Sequence, residues 1–248
     1  MSINPASPPT GWYPAPNGTS EMWWWDGAQW APPPETQTAP LPPIAGLVRL
    51  SNAIQLLLVF STIVSLAILG LEVFGLDAVE RYAAGDSSAM GLLETYDQIY
   101  IPLAIGAAVA IIATGTLWAI WQYKAARRVL GRTRRTPGWH AGSWFIPVVC
   151  FWFPYQNISD LWRAIGRSRP SWQVAWWVLW LLNNVVTQIS VRISLNAETF
   201  EDISAGMGTS ILGEALNVGA AILAIMIVRG LTRGMQQHTT TPAVSQPI

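Results

Sequence analysis

The sequence predicts an all-α membrane protein: four transmembrane helices plus a proline-broken re-entrant or interfacial segment, with a small N-terminal β module. Three observations predict it. The chain has only fourteen basic and fourteen acidic residues in 248, with a positive mean hydropathy, which is too apolar and too charge-poor for an ordinary soluble domain. Charge-free runs recur at the length that a helix needs to cross a hydrocarbon core of ~30 Å, about 20 residues. Finally, Lys and Arg gather on one side of the loops those runs define, as the positive-inside rule requires.

Residues 1–34 form the first unit. Gly11-Trp12-Tyr13-Pro14 is followed by the turn-forming Pro16-Asn17-Gly18, then Met22-Trp23-Trp24-Trp25, Asp26-Gly27 and Ala28-Gln29-Trp30. Asp-Gly between aromatic residues is a hairpin signal, because a type I′ turn needs positive φ at both central positions, so two or three short strands are expected. A unit this small cannot bury a conventional core and must rely on large rings with proline packed against them, so Trp12, Trp25 and Trp30 are expected to hold it together. Alternation along a strand sends Trp23 and Trp25 to one side and Trp24 to the other.

The opening Pro9-Thr10-Gly11-Trp12 and the closing Trp30-Ala31-Pro32-Pro33 resemble a WW domain, and Gly11 to Trp30 is similar to the short bacterial module catalogued as domain of unknown function 2510. That module usually has Asp where this chain has Ala15. The resemblance implies a groove for a proline-rich protein partner built from Trp12, Tyr13, Trp23, Trp25 and Trp30, since aromatic grooves accept preformed polyproline helices. Structural packing of the same rings is the plainer reading. Residues 35–46 continue as a proline-rich linker, expected to be extended and semi-rigid.

The membrane domain, residues 47–235, takes its spans from the charge-free runs, at about 50–72, 98–123, 170–192 and 209–228. The last contains Glu214 near one end, where a carboxylate is expected to reach the headgroup layer. With both termini cytoplasmic, twelve of the fourteen basic residues lie inside, and only Arg81 and Arg192 lie outside. The outer loops hold acids, Glu72, Asp77, Glu80, Asp86, Glu94, Asp97, Glu198, Glu201 and Asp202 among them. The predicted location is the cell membrane, multi-pass. The first 40 residues show no signal-peptide pattern, so the first span is expected to be its own signal anchor.

The stretch at 137–162 also contains a charge-free run, Ala141 to Ser159, but basic clusters flank it on both sides and Gly142, Pro147 and Pro154 interrupt it. It is therefore expected to return to the side it entered from, as a re-entrant or interfacial segment. Residues 236–248 are polar and are expected to form a disordered tail.

From Trp118 to Trp177 the order of features resembles the bacterial membrane family catalogued as domain of unknown function 4328. The matching residues are Trp121 to Arg127, Pro137-Gly138-Trp139, Trp144-Phe145-Ile146-Pro147, Pro154-Tyr155-Gln156 and Leu161-Trp162-Arg163-Ala164, with Val228 to Thr232 also similar. Coverage is expected over roughly residues 50–237. The resemblance implies an architecture and no activity.

Candidate sites are few. Lys124, Arg127, Arg128, Arg132, Arg134 and Arg135, joined by Arg163, Arg167 and Arg169, could meet anionic lipid headgroups, each contributing about 1 kcal/mol. Nucleic acid is not expected, because the cluster is short and pressed against the bilayer. Asn183, Asn184 and Gln188 on the third span are polar at mid-depth, with Asn217 on the fourth placed to meet them through interhelical hydrogen bonds. Gly106, Ala110 and Thr114 make a small-residue stripe suited to close helix packing or to a homo-oligomer. One cysteine and two histidines give no metal or cofactor site, and no nucleophile has a base beside it, so an enzyme is not expected. The function expected is a non-enzymatic adaptor or scaffold that presents the N-terminal module. The alternative is a small-solute transporter or channel component, which acidic groups deep in the spans would have favoured.

Overall fold

The computed structural model describes residues 8–32 and 44–240, the side chains of 238–240 excepted. The described residues fall into two compact units, one within residues 1–41 and one within 42–248.

The first is a three-stranded antiparallel sheet, β1 (Gly11–Pro14), β2 (Met22–Trp25) and β3 (Trp30–Ala31), in the order β1-β2-β3. The register pairs Trp12 with Trp24, Tyr13 with Trp23 and Trp25 with Trp30. The second connection differs from the two-residue turn expected. It is a longer loop, tied by the Asp26 carboxylate, which accepts from the N–H groups of Ala28 and Gln29 at 2.7 Å each. Gly27 supplies the left-handed residue at φ 99°. Those two N–H groups hold the Asp26 carboxyl below its usual range.

The second unit is helical: α1 (Ile44–Ala83), α2 (Met90–Arg128), α3 (Pro137–Gly142), α4 (Phe153–Ala164), α5 (Trp172–Leu195) and α6 (Phe200–Thr240). Four of these, α1, α2, α5 and α6, are long and apolar enough to cross a membrane. The 40 residues of α1 reach about 60 Å, twice a hydrocarbon core, so the helices run well past the apolar stretches. They continue because their polar flanks still bury one face: Glu72, Gly75, Ala78 and Val79 of α1 are all buried. Helix α6 likewise runs to Thr240, so residues 236–240 of the expected tail are helical. The rest of that tail, and residues 35–43 of the expected linker, lie outside the described residues.

Helix α1 packs against α2 and α6, and α6 packs against α5. The main apolar cluster sits at the end that carries the basic residues. Leu47 and Ile54 of α1, Trp118 and Trp121 of α2, Trp176 and Trp177 of α5, and Ile227, Val228 and Leu231 of α6 close around Ile158, Leu161 and Trp162 of α4.

The stretch at 137–162 makes no fifth span. Its helices have 6 and 12 residues, about 9 and 18 Å. Between them a 3-10 turn over Val149–Phe151 follows Val148, whose φ of 68° is strained for a β-branched residue. Arg134 before the segment and Arg163 within α4 both bind the Asp160 carboxylate, so the chain has returned to the end it left.

Candidate functional site

The small sheet has two unlike faces. Tyr13, Trp23, Trp25 and Trp30 lie half-buried on one, where Trp30 packs against Tyr13 and Trp25 with ring centroids at 6.0 and 4.9 Å. Proline backbone ties this face down: Trp25 Nε1 donates to the Pro8 carbonyl at 3.0 Å and the Tyr13 hydroxyl to that of Pro9 at 2.9 Å. The face is the module's own core. Trp12 and Trp24 stand on the opposite face, 53% and 38% exposed, edge to face at 5.5 Å with Met22 exposed beside them. The five expected groove residues are therefore not brought together; Trp12 is separated from the other four, and its neighbour is Trp24. Period-2 alternation carried that signal for Trp24, but it did not say which side the module's own rings would bury.

At the basic end the residues expected to meet lipid are largely engaged with protein. Arg134 and Arg163 both bind Asp160, which is 2% exposed and is the only acidic residue between Asp97 and Glu198. Arg135 donates to Gln156 at 2.7 Å and to Asn157 at 3.3 Å, and its guanidinium lies 3.6 Å from the centre of the Phe153 ring. Arg167 reaches Gln237 at 2.6 Å, and Arg169 lies over Tyr155. Of the remainder, Arg127 and Arg132 are exposed and Lys124 and Arg128 are partly buried.

A polar and aromatic lattice locks α3 and α4 in place. The Asn157 amide donates to the Trp139 carbonyl and the Ser143 hydroxyl, both at 3.1 Å. The Gln173 amide bonds Ser159 and the Tyr155 carbonyl, and Trp144 Nε1 bonds the Gln122 amide oxygen at 2.7 Å. Around Trp144 stand Trp118, Trp176, Trp177 and Trp180, with centroids 5.4 to 6.5 Å from its ring. His140 is fully buried in α3, and neither ring nitrogen has a hydrogen-bond partner among the described residues. Burial pushes it down to about 4, against the attraction of Asp160. An open depression of ≈ 270 Å³ lies over Thr136, Gly138, Trp139, Gly142 and Ile146. These groups hold α3 and α4 against the bundle.

Within the spans, Asn184 and Gln188 face outward and Asn184 donates to the Trp180 carbonyl of its own helix at 2.7 Å. Asn183 lies near Gly213, 3.9 Å from where a Cβ there would stand. Asn217 does not meet these residues; it donates to Ser65 of α1 at 2.8 Å, because α6 turns that face to α1 while α5 packs on its other side. In the small-residue stripe, Ala110 is buried and Gly106 faces open space.

One acid was misplaced by the sequence reading. Glu72 is not in a loop; it lies inside α1 and is 2% exposed. Tyr96 of α2 donates to its Oε2 at 3.0 Å and Ser210 of α6 also hydrogen-bonds it. One turn along α6, Glu214 is partly buried, with its Oε2 shut off from solvent. The signal was present in phase: Ser65, Ile68, Glu72 and Gly75 recur every three or four residues on the buried face of α1.

A family model described as Domain of unknown function (DUF4328) matches residues 84–233, from just before α2 to near the end of α6. No curated protein and no solved structure matches the chain.

Proposed function

The chain belongs to the family described as Domain of unknown function (DUF4328), and from that premise we propose that it is a non-enzymatic membrane adaptor of the cell membrane. Four helices anchor it with both termini in the cytoplasm, and the WW-like N-terminal module recruits a proline-rich protein partner. One observation carries this reading: Trp12 and Trp24 form an exposed aromatic pair, while the rings of the other face pack on one another and bond the Pro8 and Pro9 carbonyls. An exposed indole pair is the kind of surface against which a proline-rich segment packs. The charges of the described module, Glu21 and Asp26, are both negative, which favours a partner segment flanked by Lys or Arg.

The test uses the full chain in nanodiscs and fluorescently labelled proline-rich peptides with basic flanks, read by anisotropy. Binding is expected, with a loss of at least about tenfold in Trp12→Ala and Trp24→Ala, as removal of a central aromatic anchor typically costs 1.4 kcal/mol or more. If no peptide binds, or if both variants bind as well as the parent, the adaptor reading falls. Quenching of Trp12 and Trp24 by brominated lipid, with no peptide response, would assign the face to the bilayer instead.

The second reading, a small-solute transporter or channel component, is favoured by the burial of Glu72 and the partial burial of Glu214 within long apolar helices.

A further inference from the structure

Helix α5 stands at the edge of the bundle. Of the other three long helices only α6 packs along it. The face turned to α6 carries Leu179, Asn183, Val186, Ser190 and Ile193, which meet Gly219, Gly213 and Gly206 in turn. These recur every three or four residues, so a second seam runs along the far side of the helix: Leu181, Asn184, Gln188, Val191 and Leu195, spaced three and four apart as well. Leu181 is half-buried and the other four are exposed.

Two members of this far seam are amides at the depth where nothing but protein can satisfy them. Helix α5 has 24 residues, about 36 Å, with Asn184 at its midpoint and Gln188 about 6 Å further on, so both lie within a hydrocarbon core of ~30 Å. Asn184 Nδ2 spends one hydrogen on the Trp180 carbonyl, which leaves its second N–H and its Oδ1. The Gln188 amide forms no hydrogen bond among the described residues. Lipid chains offer neither donor nor acceptor. An amide carries both, so it is complementary to a second copy of itself, and a two-fold axis along the membrane normal sets each residue opposite its own counterpart. The spacing suits such a pair. Leu181, Gln188 and Leu195 are seven residues apart, as are Asn184 and Val191, which is the a/d pattern of two packed helices, and a polar residue inside that pattern sets register and the number of chains. Arg192 flanks the seam in the last turn of α5, where its guanidinium reaches the headgroup layer.

We propose that the outer face of α5 is an interface with a second copy of this chain. The two α5 helices run parallel, with Asn184 and Gln188 each hydrogen-bonding its own counterpart between the apolar contacts of Leu181, Val191 and Leu195. Interhelical amide bonds of this kind hold helices together in lipid, where apolar side chains alone gain little from association. The N-terminal module takes no part, so the interface does not rest on the adaptor reading.

The test reconstitutes full chains carrying donor or acceptor fluorescent proteins after Ile248 together in phosphatidylcholine vesicles, and follows energy transfer as protein is diluted in lipid. Transfer above that of randomly mixed chains is expected. The double variant Asn184→Leu, Gln188→Leu should weaken association about fivefold or more, as loss of interhelical hydrogen bonds at two positions implies. Ile189→Ala, exposed on α5 but off the seam, should leave association unchanged. Register is read separately by oxidative cross-linking in the same vesicles, on a Cys150→Ser background: Asn184→Cys and Gln188→Cys should give disulfide-linked dimers, and Ile189→Cys several-fold less. Random-level transfer in the parent overturns the interface. So does a double variant that associates within fivefold of the parent, an equal loss in Ile189→Ala, or cross-linking at Asn184→Cys and Gln188→Cys no greater than at Ile189→Cys. If the double variant does not survive purification, the cross-linking decides by itself.

Discussion

His140 and Asp160 show how a single buried group sets the behaviour of its surroundings. Asp160 sits under two guanidiniums whose outer parts are half exposed, so its charge is matched while theirs are partly screened by water. His140 has no such partner. It is held at about 4, well below its ordinary 6.5, because burial disfavours the imidazolium more than Asp160 favours it, and Arg135 adds repulsion. Between those two values the unfolded chain binds a proton that the folded chain refuses, so stability rises with pH across this window. It is undiminished above about pH 6.5 and falls as pH drops toward 4, by on the order of 3 kcal/mol in all. The unfolding midpoint of the detergent-solubilised chain should therefore decline on acidification through this window, and His140→Phe should flatten the decline. A parent midpoint constant from pH 7 to 5 would reject the assignment. The charge pattern made the basic end legible, but it gives sign and not partners. Nothing in the spacing of Arg134, Asp160 and Arg163 says that two cations from different segments share one carboxylate.

At the scale of elements, close approach of α6 to α4 depends on two glycines. A Cβ at Gly230 would stand 2.6 Å from Trp162 Cη2, and one at Gly234 2.5 Å from Ile165 Cδ1. Trp162 is buried and rigidly packed, so it cannot yield cheaply. Gly230→Ala should lower stability by about 1–3 kcal/mol, the usual cost of overpacking. Gly208→Ala is the control, because nothing lies within 4 Å of its Cβ position and alanine favours the helix, so it should be neutral or stabilising by up to about 1 kcal/mol. Equal effects at the two positions, measured by thermal unfolding, would show that the contact is not tight. The four long helices were legible because about 20 apolar residues in water have no other solution. Their true ends were not, since the flanks are polar in composition and buried only by phase. Proline alone was also a poor guide: Pro102 lies inside α2, which runs through it unbroken. The stretch at 137–162 is broken by the combination of Pro154, the strained Val148 and the Asp160 clamp.

For the whole molecule, the question is which way the bundle faces. Among the described residues four helices are able to span, an even number, so the two ends should emerge on one side. Twelve of the fourteen Lys and Arg belong to that side in the positive-inside reading, and the Asp160 clamp brings the clusters before and after the broken segment to the same end. The opposite end carries the turn between α1 and α2, where Asp86 binds Arg81 at 2.8 Å and is held below the usual carboxylate range by Ser88 and then Arg81. Arg81 is paired there with Asp86 and, more loosely, with Asp77. A topology reporter fused after Ile248 and one inserted after Arg135 should both read as cytoplasmic, while one inserted after Gly85 should read as exported. If the fusion after Ile248 is exported while the insertion after Arg135 stays cytoplasmic, an odd number of segments crosses, and the segment at 137–162 must be one of them. That result would also separate Arg134 from Arg163 by a bilayer, which their shared carboxylate forbids, so the topology and the clamp stand or fall together.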